Sequence, residues 1–489
     1  MAAVPELRLR CANDKPERRE GEYVLYWMIA ARRTRANFAL QRAVERAKEL
    51  GKPLLVFEPL RCGYRWASDR LHTFVLHGMV DNAKRCADAE VTYLPYVEPS
   101  LGAGKGLLQA LAAKACVVVT DDFPCFFLPR MVAAAAAALP VRLEVVDGNG
   151  LLPLVVGDKV FGRAFDFRRF LQKVLSSHLA EFPVGDPLRG YALGEAKLPR
   201  GVATRWPRAS AALLAGDAAA CVELPIDHSV APSPVRGGAA AAGAALRTFL
   251  VERLPRYAND RSDPDADCAS GLSPYLHFGH LGAHQVFAGL AAQEGWQRDR
   301  IKATASGQRG WFGMGENAEA FLDELVTWRE LGFNYTHQRS DYEDFVSLPQ
   351  WAQATLQAHA EDPRQYVYSR DELAASRTHD EVWNAAQNQL RTTGTMQNYL
   401  RMLWGKKVLE WSRTPADAFA TLVELNNRYA LDGRDPNSYT GISWVFGRYD
   451  RPWAPQRSIY GAIRYMSSAN TVKKLKMKGY LRTWGGYHG

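Results

Sequence analysis

A chain of 489 residues, 47% hydrophobic and 23% charged, exceeds the about 250–300 residues at which a single core stops growing, so two domains of ordinary globular composition are expected. Seven cysteines without a Cys-x-x-Cys pair exclude a disulfide framework, a zinc ribbon or an iron–sulfur cluster of the usual spacing, and no apolar run reaches the ~18–20 residues of a membrane span. The polar first 20 residues lack the apolar centre of a secretory signal, so a cytoplasmic protein is expected, with neither a membrane partner nor a bound metal.

In chain order, residues 1–20 form a polar extension and residues 21–184 an α/β domain. Residues 22–28, EYVLYWM, predict a buried strand, and residues 36–50 an amphipathic helix punctuated by Gly51 and Pro53 before a second strand at 54–57. The alternation continues with a helix near 70–87, a strand at 91–96, a helix near 107–114, a strand from Cys116, an alanine-rich helix near 129–139 and a strand at 142–146. Strands alternating with helices predict a parallel sheet with right-handed crossovers. The run GAGKG at 102–106 is not a phosphate loop: Pro99 stands where the first glycine belongs, and Gly106 replaces the hydroxyl residue after the lysine. From 185 to 245 periodicity dissolves into Ala, Gly and Pro, which predicts an interdomain connection. Residues 246–489 read as almost wholly helical.

Chemistry-bearing residues concentrate in that second half. Residues 270–279, SGLSPYLHFG, place serines and a Ser-Pro step before an apolar helical pattern, as an anion site or an ordinary capped helix would. In FLDELVTWRELGFN, 321–334, Glu324 shares a face with Trp328. Desolvation among apolar neighbours would raise its pKa and fit it to donate a proton or a hydrogen bond to a carbonyl; pairing with Arg329 or Arg401 is the alternative. Oxidisable rings follow at Tyr368, Trp383 and Trp404. In GTMQNYLRMLWGKKVLEW, 394–411, Arg401, Trp404, Val408 and Trp411 fall on one helical face and Asn398, Met402 and Leu409 on its neighbour. That surface suits either a buried helix whose arginine meets a carboxylate or the wall of a large planar cofactor. Residues 425–444, LNNRYALDGRDPNSYTGISW, carry a polar loop flanked by Asn426 and Trp444. Between Thr440 and Gly489 nine basic residues face Asp450 alone, a local excess of eight within a net charge of +9, interleaved with tryptophans and tyrosines in a mixture that suits nucleic acid.

Taken together these segments resemble the class II cyclobutane pyrimidine dimer photolyases. The likeness rests on YLRMLWGKKVLEW at 399–411, LNNRYALDGRDPN at 425–437, the carboxylate helix and SGLSPYLHFG, with YVLYWMIAARR at 23–33 and KPLLVFEPL at 52–60 in support. It implies the photolyase/cryptochrome fold: an α/β N-terminal, Rossmann-like parallel-sheet domain of antenna type and an all-α C-terminal domain that binds FAD. It implies a monomer acting on UV-damaged DNA. Light would excite FADH⁻, an electron would pass to a flipped-out pyrimidine dimer, and the cyclobutane ring would split. Glu324 matches the carboxyl that hydrogen-bonds the dimer; Met402, Trp328 and Trp444 match residues packed against it. Asn426 matches the asparagine beside the flavin's redox-active nitrogen, with Arg401 and Asp432 as a nearby ion pair. Tyr257, Ser270, Gly271, Leu272, Ser273, Asn398, Asp435 and Asn437 fall in cofactor-binding segments. Trp404 and Trp383, with Trp411 and Tyr368, match the photoreduction route, while Asp450, Arg451 and Trp453 match the DNA face. An antenna chromophore such as a deazaflavin is compatible with the first domain. A cryptochrome-like photoreceptor is the alternative; it would show flavin photochemistry without repair.

Overall fold

The computed structural model describes residues 3–302 and 307–486, which divide into two units. One comprises Met1–Gly157, Ser177–Leu246 and Leu272–Ala291, the other Asp158–Ser176, Arg247–Gly271 and Ala292–Gly489.

The first unit is built on six strands: β1 Leu9–Cys11, β2 Tyr23–Trp27, β3 Leu54–Leu60, β4 Thr92–Val97, β5 Ala115–Asp122 and β6 Leu143–Asp147. Their order across the sheet is β1-β6-β5-β2-β3-β4, parallel except for the β1–β6 pair. Every residue of β2 and β4 is buried, as a parallel sheet covered on both faces requires. Tyr23, Leu25 and Trp27 point to one side, where helices α3 (Leu107–Ala112) and α4 (Leu128–Ala138) contribute Leu111 and Val132. Val24 and Tyr26 point to the other, where α1 (Phe38–Leu50) contributes Phe38, Leu40 and Val44 and α2 (Asp69–Asp88) contributes Cys86. Helix α1 starts two residues later than its periodicity predicts because the Asn37 side chain accepts hydrogen bonds from the Ala39 and Leu40 N–H groups and so caps it.

Three features depart from the sequence reading. The polar extension contains β1, an edge strand antiparallel to β6; a three-residue strand with two exposed residues leaves no periodic signal. Residues 185–245 lie within the first unit, tied down by isolated anchors in a bland composition. Leu188 and Trp206 are buried in the two core clusters, and the Trp206 indole N–H donates to the Ala103 carbonyl at 2.9 Å. Residues 158–176 belong to the helical unit and 272–291 to the sheet unit, an exchange of segments that composition does not register. The GAGKG run is a series of turns in which Glu98 accepts from the Gly104 N–H at 3.3 Å, so a carboxylate occupies the amide that a phosphate would seek.

The second unit is helical. Glu316–Leu322 continues through a π-helical turn, Asp323–Trp328, into Arg329–Gln338; further on come Glu381–Thr393, Asn398–Trp411, Pro415–Tyr429 and Pro436–Val445. Asn398–Trp411 packs against the helices on either side of it in sequence and against Pro436–Val445. That last approach needs Gly405, since a Cβ there would lie 2.5 Å from a Val445 methyl carbon. No helix among the described residues is long and apolar enough to cross a membrane.

Candidate active site

Glu324 sits in the π-helical turn between two α-helical segments, an irregularity that recurs at functional sites. Its carboxylate pairs with Arg261 rather than with Arg329 or Arg401, the partners that the sequence offers; a contact spanning 63 positions has no local signature. Burial raises the Glu324 pKa above its usual value despite the opposing Arg261 charge, with 31% of the side chain exposed. Tyr257, expected in a cofactor segment, lies beneath the Arg261 guanidinium at 5.8 Å and packs edge-on against Phe249 and Phe321. Trp328 and Trp444, from segments more than a hundred residues apart in sequence, stack with centroids 5.1 Å apart and planes inclined by 22°.

The Asn398–Trp411 helix and the polar loop meet through Arg401 and Asp432. Arg401 grips Asp432 through two nitrogen–oxygen contacts of 3.1 and 3.3 Å, the bidentate geometry that distinguishes arginine from lysine. Asn426 is buried near the end of Pro415–Tyr429 and donates to the Asn427 side-chain oxygen at 3.2 Å. The same oxygen accepts from the Arg434 backbone N–H at 2.8 Å. Arg434, which sequence reasoning passes over, is 2% exposed. Its guanidinium is held by the carbonyls of Asn427, Ala430 and Leu431, and it adopts φ +65°, so it fixes the loop that presents Asp432. Asp435 is the N-cap of Pro436–Val445, accepting from the Asn437 N–H at 2.9 Å. Met402 is half-buried and Asn398 exposed on the first turn of its helix. The serine segment is less regular than expected: Ser270 and Gly271 fall in the second unit and Leu272 and Ser273 in the first. The helix they precede is the single turn Ser273–His277.

The oxidisable rings form a continuous file. Trp404 and Trp383 stack with nearly parallel planes, 6.4 Å between centroids at 7°. Trp383 meets Trp411 at 5.7 Å, and Trp411 meets Tyr368 at 5.5 Å. Two buried hydrogen bonds fix the inner pair: Trp383 donates to the Trp404 carbonyl at 3.0 Å, and Trp404 to the Gln387 side chain at 2.9 Å. Gln387, fully buried, is a further residue the sequence does not single out, although it lies one helical turn after Trp383.

The basic C-terminal stretch divides in two. Arg448 is buried, its guanidinium 4.6 Å from the Tyr335 ring and bonded to the Ser347 carbonyl; Tyr449, Tyr460 and Tyr480 are buried as well. These belong to the core, which corrects the expectation that the whole stretch is a nucleic-acid surface. Arg451, Arg457, Arg464, Lys473, Lys474, Lys476, Lys478 and Arg482 are exposed. Arg451 and Arg464 flank the Trp453 ring at 5.5 and 5.1 Å, and Asp450 accepts from the Trp453 indole N–H at 3.2 Å. The result is an exposed indole bracketed by two cations.

The fold is that of the photolyase/cryptochrome superfamily. A bacterial class III photolyase from Agrobacterium tumefaciens superimposes with a TM-score of 0.67 at 16% identity, covering 95% of this chain and 86% of its own. The cryptochrome of Synechocystis sp. PCC6803 does so with 0.66 at 16%, covering 94% and 88%. In sequence the chain is 34% identical to the deoxyribodipyrimidine photo-lyase of Methanothermobacter thermautotrophicus over 97% of both chains. It is 32% identical to those of Potorous tridactylus, over 95% of this chain and 81% of the relative, and Oryza sativa subsp. japonica, over 94% and 87%. No protein-family model matches the chain. The chain belongs to the deoxyribodipyrimidine photo-lyase family.

Proposed function

We propose that this protein repairs cyclobutane pyrimidine dimers in UV-damaged DNA by light, as a class II enzyme. The observation that supports this reading is the meeting of Arg401 with Asp432 beside the helix that carries the buried Asn426, the asparagine of the class II resemblance, in its last turn. The donor set fits a flavin: a guanidinium–carboxylate pair that favours an anionic ring, and a carboxamide able to donate or accept. FAD, when bound in fully reduced form, supplies the light-driven electron.

Glu324, its pKa raised by burial against the opposing Arg261 charge, donates a hydrogen bond to a dimer carbonyl when its carboxyl carries a proton and so stabilises the charge that arrives there. Trp328 and Trp444 offer stacked apolar surface to the extruded bases. Extrusion from the duplex costs a few kcal/mol, least for a damaged pair. Arg451, Trp453 and the exposed cations hold phosphates and stack in the gap. Trp404, Trp383, Trp411 and Tyr368 restore the reduced cofactor by passing electrons inward.

The test is illumination of flavin-reduced protein with an oligonucleotide carrying one thymine dimer. Restoration of thymines is expected in blue light and not in darkness. Glu324→Ala is expected to keep FAD and lose quantum yield; an unchanged yield removes Glu324 from the reaction, and no repair at all removes the function.

A further inference from the structure

The outer end of the ring file carries a group with no role in the scheme above. Tyr368 and His379 flank the short helix Arg370–Ala374. On one side a Ser369–Glu372 capping box holds Tyr368 in place; on the other, Asp380 caps the Glu381–Thr393 helix that carries Trp383. The Tyr368 phenol oxygen lies 2.7 Å from His379 Nδ1 and accepts a hydrogen bond from the His379 backbone N–H at 3.0 Å. In the tautomer that carries its hydrogen on Nε2, the imidazole accepts at Nδ1 and the phenol donates its own proton there. The imidazole also stacks on Tyr366 with centroids 3.7 Å apart and meets the Trp411 edge at 5.3 Å. His379 is itself exposed, so a proton received there has a path to water.

Resting on the relay reading of Trp404, Trp383, Trp411 and Tyr368, we propose that His379 is the proton acceptor that makes Tyr368 the terminal electron donor. An oxidised phenol is a strong acid, and electron loss from tyrosine is readily driven by an indole radical cation only when the proton leaves at the same time. One electron passes from Tyr368 to the Trp411 radical cation and restores the indole. The phenol O–H bond breaks, its proton moves to His379 Nδ1, and a neutral phenoxyl and an imidazolium result. A thiol then gives a hydrogen atom to the phenoxyl and regenerates the phenol, thiyl radicals pair as a disulfide, and His379 releases its proton to water. Without the acceptor the hole stays on Trp411 and returns inward.

The test does not depend on flavin. Flavin-free protein is flash-oxidised with a ruthenium polypyridyl complex, and the tyrosyl radical is read by electron paramagnetic resonance and transient absorption in H₂O and D₂O. Wild type is expected to give the radical with a solvent isotope effect. His379→Gln should lose it several-fold together with that effect, and His379→Gly should recover it with added imidazole. Tyr366→Phe, which keeps the stacked ring, should behave as wild type, and ¹⁵N resonances should show the Nε2–H tautomer of His379, perturbed in Tyr368→Phe. An unchanged yield and isotope effect in His379→Gln, a radical that survives Tyr368→Phe, or loss in His379→Gly without recovery by imidazole would each overturn the assignment. Repair by chemically reduced holoprotein confirms that the variants fold. Normal flavin photoreduction in Trp404→Phe would instead refute the relay and leave the flash-oxidation result to judge the Tyr368–His379 pair by itself.

Discussion

Arg261 is the decisive residue for the state of the Glu324 carboxyl. Burial raises the carboxyl pKa above 4.5, and the guanidinium is the largest influence acting in the other direction. In Arg261→Ala the desolvation and the Asp323 charge, which both raise it, are opposed only by the weaker Arg168 charge, so the pKa rises further. An opposite charge at this range shifts a carboxyl by ~1–3 units, but the two side chains keep 32% and 31% of their surface exposed, which screens the pair toward the lower end. A rise of about one unit is expected, equivalent to ~1.4 kcal/mol. Because the folded-state pKa lies above the unfolded value, the stability tied to this proton is full below the unfolded pKa and is lost as pH rises through the folded pKa, and the variant moves the upper edge of that window upward. The assay is difference infrared spectroscopy of the protonated carboxyl band, assigned through Glu324→Gln, beside the pH profile of repair with chemically reduced flavin. Both midpoints should move up by about one unit in Arg261→Ala. A midpoint that stays or falls would refute the claim that burial and Arg261 oppose one another at this carboxyl.

Trp404→Phe should abolish photoreduction of oxidised flavin while sparing repair after chemical reduction, because the file of rings loses its inner member; flash photolysis checks both. Lys406→Met should stabilise the protein at low pH and not at high pH. Burial lowers the lysine pKa from 10.5 to about 7, so the unfolded chain holds more protons across that window, and wild-type stability is lost as pH falls from 10.5 to about 7 and stays lost below it. The ceiling is about 5 kcal/mol at ~1.4 kcal/mol per pK unit, reduced by ~1–3 kcal/mol for the Val445 carbonyl left without its Lys406 donor; denaturant midpoints at matched pH values measure the difference. Gly433→Ala should cost ~1–3 kcal/mol and lower flavin retention, since its Cβ would lie 2.7 Å from the Asn426 carbonyl oxygen and 2.9 Å from the Asn427 Cα; flavin content after gel filtration tests it. Arg451→Ala with Arg464→Ala should weaken duplex binding and flatten its log–log salt dependence by up to ~0.9 for each phosphate that is no longer neutralised, read by fluorescence anisotropy.

The sheet is legible in the sequence because its physics is local. A parallel strand buried on both faces is a continuous apolar run, and β2, β3 and β5 each carry one, whereas β6 is interrupted by Glu144. Glycine and asparagine mark the ends of α1 because left-handed φ at Gly51 and the Asn37 side-chain cap are properties of single residues. The active-site partnerships are legible only where the resemblance supplies both members, as with Arg401 and Asp432. Arg261 with Glu324, Arg434 with the carbonyls of its own loop, and Gln387 with Trp404 are pairings of ordinary residues whose meaning depends on three-dimensional proximity. The basic tail misleads for a related reason: charge density cannot distinguish Arg448, sandwiched by tyrosines, from Arg451 beside an exposed indole.

The Asn398–Trp411 helix shows why a one-sided amphipathic reading falls short at such a site. From Leu403 to Leu409 every residue is buried, two lysines included, so this helix is enclosed by neighbours and each charge must be answered individually. Asp432 answers Arg401, the Val445 carbonyl answers Lys406, and Glu410 answers Lys407 at 2.9 Å. The last of these bears on the ring file. The Lys407 ammonium lies 5.4 Å over the Trp411 ring, and a fixed cation there disfavours a positive hole on that indole relative to Tyr368 farther along. Glu410 tempers the effect without cancelling it, because its carboxylate also accepts from Tyr460 at 2.9 Å and is drawn toward that phenol. Electrostatics at Trp411 and proton acceptance at His379 therefore push the hole in the same outward direction, and Lys407→Met should lengthen the lifetime of the Trp411 radical when the outer pair is disabled by Tyr368→Phe.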